Sequence, residues 1–263
     1  MSSGAESDMF LATEGIHNFR DYGGWLTEDG RQVRRGVLFR SGQHVGATAA
    51  DLALIAALDI HTVIDLRGTS ERERNPCRRV EGFAGEVIYY DGETSSSPPH
   101  MDIDPDVTTA LFARERMLSV YARMPQNPAM QQMFARYLRI LAEREGASLV
   151  HCFAGKDRTG IAATLLLHVL GVGERDQMTE FVRTNAAPTL AVLHAQSVPG
   201  IEARFGRKLD QEALRVLLEV EEDYLHRFRE TVVAMDGSLD AWLASRIGVD
   251  DGLRERLRER FTA

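Results

Sequence analysis

The sequence predicts an α/β protein with a central, partly parallel sheet flanked by helices and an all-helical C-terminal extension. Three observations predict it. Up to Gly171, short strand-like runs alternate with segments whose apolar residues recur at helical spacing, the pattern of strand–helix–strand crossovers. From Glu174 onward only helical periodicity remains. No break in composition and no Pro/Gly/Ser linker separates the two parts. Residues 1–263 are therefore expected to form a single domain, with an α/β core over 13–171 and a helical extension over 172–263.

In chain order, "VLFRS" (37–41) and "TVIDL" (62–66) read as short strands. Between them, "TAADLALIAAL" opens on Thr48, whose hydroxyl can cap the first turn of a helix. "EVIYY" (86–90) adds a strand, and "DGETSSSPPHMDIDPD" (91–106) mixes turn formers with acids and is expected to be a long, mobile loop. "LFARERMLSVYARM" and "NPAMQQMFARYLRILAER" have helical periodicity, and "SLVHC" (148–152) reads as a buried strand feeding a helix near Thr159. In the extension, helical pattern runs through "ERDQMTEFVRTN", "PTLAVLHAQ", "QEALRVLLEVEEDYLHRFRETVVAM", "SLDAWLASRI" and "GLRERLRERF".

Composition narrows the function. With 263 residues, 44% of them hydrophobic, the chain can bury one large core. Two cysteines, Cys77 and Cys152, are too few for a disulfide framework, which points to a reduced thiol. The first ten residues lack a basic start and an apolar core, and no apolar run approaches the ~20 residues of a membrane span. A cytoplasmic protein with no integral membrane segment is expected; export without an N-terminal signal peptide stays open. The net charge of −8 argues against nucleic-acid partners, because phosphate backbones are held by clustered Lys and Arg.

The informative stretch is "LVHCFAGKDRTGIAATLLLHVLG", a strand, a loop and a helix. A helix N-terminus has unpaired N–H groups and the positive end of the dipole, so it suits an anion. Phe153, Ala154, Gly155, Lys156, Asp157 and Arg158 would supply those N–H groups, with Gly155 allowing a positive φ and close approach. Arg158 can give two parallel hydrogen bonds to phosphate oxygens. Cys152 lies beneath this cradle, where the helix N-terminus and the guanidinium favour a thiolate nucleophile. Thr159 can assist the sulfur as a leaving group, and His151 can orient the loop. No metal or other cofactor is required, and the other histidines show no metal-binding spacing. Cys77, in a polar segment, reads as an ordinary surface or semi-buried thiol.

"HCFAGKDRT" resembles the signature of the protein tyrosine phosphatase superfamily: His-Cys, five residues, Arg, then Ser or Thr. Lys156 and Asp157 make it similar to bacterial tyrosine phosphatases with an HCxxGKDRTG loop, as do "NFRDYGG", "LFRSGQ" and "VIDLRGTSERE" in the same order upstream. The resemblance implies a tyrosine-phosphatase-like fold and hydrolysis of phosphotyrosine through a phosphocysteine. It extends to phosphoserine or phosphothreonine, and in several members to phosphoinositides. The partners it implies are phosphorylated proteins or phosphoinositides. It makes Cys152 the nucleophile, Arg158 the phosphate clamp and Lys156 a rim cation for a second phosphate. Trp-Pro-Asp, which carries the general acid in many tyrosine phosphatases, is absent. The acid is then Asp157, or else Asp91 at the end of "VIYYD". Arg20, Asp21, Arg40, Asp65 and Arg67 are expected to form buried Arg–Asp pairs that brace a loop. Segment 174–196 has two readings, a mobile lid over the site or ordinary core packing. A lipid phosphatase, a phosphate-binding module without turnover and a rhodanese-type sulfurtransferase are the competing functions.

Overall fold

In the computed structural model, which describes residues 9–94 and 109–263, one sheet holds five strands. They are β1 (Arg20–Asp21), β2 (Leu38–Ser41), β3 (Ile60–Asp65), β4 (Glu86–Tyr89) and β5 (Ala147–His151). Their order in space is β1-β2-β5-β3-β4; β1 runs antiparallel to β2 and every other neighbour is parallel. β5 is central and all five of its residues are buried, as expected of a parallel strand covered on both faces. Beyond Thr94, the acidic loop expected at 91–106 lies outside the described residues.

Helix α1 (Ala49–Ala57) starts where Thr48 predicts. The Thr48 hydroxyl accepts the Asp51 N–H at 3.2 Å and the Asp51 carboxylate accepts the Thr48 N–H at 2.9 Å, a reciprocal cap. α2 (Thr69–Arg74) is a short helix without an apolar stripe, which is why periodicity missed it. α3 (Ala110–Arg123) and α4 (Pro128–Glu143) match the expected segments; Asn127 caps α4 and Pro128 occupies its first turn. α5 (Asp157–Leu170) is buried along nearly its whole length and stops at Gly171, whose φ of +88° closes the helix in the left-handed conformation.

The extension comprises α6 (Glu174–Val182), α7 (Leu190–Phe205), α8 (Gln211–Leu218), α9 (Glu222–Asp236), α10 (Leu239–Trp242) with a π-helical turn after it, and α11 (Asp251–Phe261). The helical pattern over 211–235 is interrupted at 219–221, between α8 and α9. The cause is tertiary. Asn185 accepts the Val220 N–H at 2.9 Å and donates to the Val220 carbonyl at 2.8 Å, holding that residue out of the helical ladder. Tyr224, Phe228, Trp242 and Leu257 of the extension belong to the same apolar cluster as Leu38, Ile64 and Val150 of the sheet. The C-terminal residues return to the N-terminal part, where Ala263 and Gln32 exchange backbone hydrogen bonds. Among the described residues, no helix is long and apolar enough to cross a membrane.

Candidate active site

β5 ends at His151 and α5 starts at Asp157, so Cys152 to Lys156 form a short loop at a helix N-terminus. Gly155 has a φ of +65°, as expected, but the close approach comes from another direction. A Cβ there would lie 2.4 Å from the Ser41 carbonyl carbon and 2.5 Å from the Gly42 nitrogen, at the end of β2. The Gly155 carbonyl accepts from the Asn18 side-chain amide at 2.8 Å and from Arg40 at 2.9 Å. The Phe153 carbonyl accepts the Gln43 N–H at 2.9 Å. With these carbonyls held from outside, the loop's amide groups are left for an anion.

Arg20 and Arg40 converge on Glu180 of α6, with Oε1 accepting from Arg20 Nε at 2.9 Å and Arg40 Nη1 at 3.2 Å. These side chains are essentially inaccessible. Burial, reinforced by Arg40, lowers Arg20 to about 9. The expected brace is therefore present, but its acid is Glu180 and not an aspartate. Asp21 instead accepts the N–H groups of Gly23 and Gly36. Asp65 and Arg67 do pair, at 2.9 and 2.7 Å.

Arg158 is held from behind by a carboxylate that sequence reasoning overlooked. Glu71 of α2 takes Nη1 at 2.6 Å and Nη2 at 2.8 Å, while the Leu66 carbonyl and the Thr94 hydroxyl accept from Nη1 at 3.2 Å. Burial pushes the Glu71 carboxyl up, but Arg158 and the Gly68 N–H outweigh it and hold it below its usual value. Burial likewise opposes the Arg158 charge, and Glu71 more than restores it. A guanidinium has five N–H donors. No described residue accepts the Nε–H or the second Nη2–H, so the side edge of the fork stays open for a bidentate anion. A bulky ion that needs a charged partner could have prompted the search for Glu71, since a buried guanidinium is rarely left alone.

Cys152 is buried. Thr159 of α5 is also buried, and its hydroxyl has no hydrogen-bond partner among the described residues. His151 stacks on His44 with ring centroids 5.3 Å apart, and Nδ1 lies 3.3 Å from the Cys152 carbonyl oxygen. Burial lowers His151 to about 4, so the ring is neutral near pH 7. The Asp157 carboxylate accepts from the Tyr121 hydroxyl at 2.7 Å. Asp91 is exposed and is not among the residues lining the cavity described next.

Lys156 departs from the expected rim cation. It is 3% exposed, and its ammonium donates to the carbonyls of Leu217 and Glu219 at 2.7 and 3.1 Å, where α8 ends. Helix C-termini attract cations because their last carbonyls are unpaired and carry the negative dipole end. Its ammonium ties the loop to the extension.

Cys152, Phe153, Ala154, Lys156, Asp157 and Arg158 line one cavity of about 790 Å³. Leu193, Gln196 and Ile201 of α7 line another of its walls. Segment 174–196 thus divides: Glu180 and Phe181 of α6 are buried, while α7 borders the site. Asp65, Cys77 and His151 place three potential metal-ligand atoms within 4.8 Å of one another. They suit a cation poorly, because Arg67 occupies both Asp65 oxygens and reaches the Cys77 sulfur at 3.1 Å, while Arg79 lies 3.4 Å from His151 Nε2.

A thiol below a helix N-terminus, beside an arginine with one open edge, is a site shaped for a phosphoryl group. The sequence model of the tyrosine phosphatase family matches residues 11–263, and the chain belongs to that family of protein-tyrosine phosphatases. It is 32% identical over 244 residues to a Cupriavidus necator protein named as a tyrosine-protein phosphatase, covering 91% of this chain and 85% of that one. It is 27% identical over 274 residues to the triple specificity protein phosphatase PtpB of Mycobacterium tuberculosis, covering 93% and 96%.

Proposed function

We propose that this protein hydrolyses phosphotyrosine, and also phosphoserine and phosphothreonine, through a phosphocysteine intermediate. The observation that carries the reading is the open edge of Arg158, fixed by Glu71, in the cavity that contains Cys152. The Cys152 thiolate attacks phosphorus as the P–O bond to the leaving group breaks, and Asp157 gives its proton to the departing oxygen. Water then attacks the phosphocysteine, Asp157 takes its proton, and the P–S bond breaks. The Thr159 hydroxyl, buried with no hydrogen-bond partner among the described residues, would donate to the leaving sulfur. Arg158 and the loop amides carry the charge of the transferring phosphoryl group in both steps.

The wider substrate range is supported by the name of the Mycobacterium tuberculosis relative. Phosphoinositides are the second class of substrate. Arg74 and Arg123 support it, since both are exposed and line the cavity. The extension belongs to the same catalytic unit, because Lys156 is anchored on α8 and α7 lines the cavity.

Rapid acid quench with a labelled aryl phosphate tests the mechanism. The wild-type enzyme should yield a labelled protein and Cys152→Ser none, while the variant still binds orthovanadate. Turnover by Cys152→Ser would sink the covalent route, and binding without any turnover by the wild type would make the protein a phosphate-binding module.

A further inference from the structure

Asp157 offers two carboxyl oxygens, and a general acid works only if the proton sits on the one that faces the leaving group. Oδ1 accepts from the Tyr121 hydroxyl at 2.7 Å and lies 3.6 Å from the Lys156 ammonium. Among the described residues no hydrogen-bond donor reaches Oδ2. Tyr121, on α3, is fully buried and stacks on Tyr224 of α9 with ring centroids 5.3 Å apart, so the phenol cannot swing away. Burial, with the Asp157 carboxylate beside it, holds the Tyr121 hydroxyl well above its ordinary value and keeps it a donor across the working pH range.

We propose that Tyr121 is a positioning residue that assigns the catalytic proton to Asp157 Oδ2, by occupying Oδ1 with an obligatory donor. The assignment rests on the reading that Asp157 is the general acid. An oxygen that accepts an O–H···O bond cannot itself carry the proton toward the same partner. The acid form of Asp157, a residue that lines the cavity, is then forced to hold its proton on the remaining oxygen, which has no hydrogen-bond partner among the described residues. After the proton leaves, the same phenol and Lys156 stabilise the carboxylate, which is the form that must next accept a proton from water. The break between α8 and α9, held by Asn185, lets Lys156 reach the α8 carbonyls and leaves Tyr224 on α9 to back Tyr121. Among the described residues, Arg158 and Tyr224 also interact electrostatically with Asp157.

The test compares wild type, Tyr121→Phe, Asp157→Asn and the double variant on phosphoserine and on an activated aryl phosphate that departs without protonation. Tyr121→Phe should lower kcat/KM on phosphoserine, which reports phosphocysteine formation alone, by about 3- to 10-fold, the worth of one hydrogen bond, and leave kcat/KM on the aryl phosphate nearly unchanged. The aryl rate also reports that the variant is folded. In the Asp157→Asn background the Tyr121→Phe effect should vanish. A Tyr121→Phe loss equal on both substrates, or one that persists in the Asp157→Asn background, overturns the role of Tyr121 alone. An Asp157→Asn enzyme with no leaving-group dependence removes the acid, and the inference falls with it.

Discussion

Glu71→Gln tests whether Arg158 must be held as well as present. The Glu71–Arg158 pair is bidentate at 2.6 and 2.8 Å, and its side chains are 10% and 11% exposed. Removing one partner of a buried ion pair costs about 3–5 kcal/mol, because the other charge stays buried. Glutamine keeps the shape and one acceptor, so the lower end of that range applies, about 3 kcal/mol. For a chain of this size each kcal/mol lowers Tm by about 2–4 °C, giving a fall of about 6–12 °C. The pair's contribution has a pH window. Glu71 titrates below its unfolded value, so its stabilisation is present above that value and is lost as pH falls through the folded one. Catalysis should suffer more than binding. Arg158 keeps its charge and loses a competing carboxylate, so orthovanadate should bind at least as tightly, while kcat falls by about 10- to 100-fold as the open edge loses its aim. Thermal unfolding with and without orthovanadate, alongside kcat and KM on an aryl phosphate, measures all of this. A Tm within 2 °C of wild type with an unchanged kcat would show that Glu71 is a bystander.

Gly155→Ala combines a left-handed φ with a Cβ 2.4 Å from the Ser41 carbonyl carbon, so the loop must move; kcat should drop by at least about 100-fold, and a variant with ordinary kinetics would show that the loop is not rigidly docked on β2. Acid should destabilise the fold before its carboxylates titrate. Burial lowers His151 to about 4 from 6.5. Between those values the unfolded chain binds the extra proton, so stability falls with pH, by about 2 kcal/mol at pH 5 relative to pH 7.5 for this residue. Urea unfolding at the two pH values reads it directly, and equal midpoints would contradict a neutral, buried His151.

Much of this molecule is readable from local pattern. The apolar runs around Leu38, Val63 and Leu149 became parallel strands because only buried strands are apolar on both faces. Thr48 and Asn127 ended as caps where their side chains can satisfy the first amides of a helix. The cysteine loop was legible for the same reason, since its cysteine, glycine and arginine lie within a few residues of one another. α2 was not, having no apolar face; it is held by what Glu71 does for Arg158, 87 residues away.

By itself, then, the sequence determined the α/β core, the helical extension and the identity of the residues in the cysteine loop, because these depend on contacts between near neighbours in the chain. Only the tertiary structure decided what those residues face. Lys156 turned from the rim into the end of α8 because unpaired helix carbonyls form a stronger site for a cation than open solvent. Glu180 replaced an aspartate as the acid of the Arg20–Arg40 brace because α6 folds back onto β1 and β2. Tyr121 reached Asp157 across 36 residues of chain. Each pairs a buried polar group with a partner remote in sequence, and burial without such a partner is too costly for the fold to tolerate.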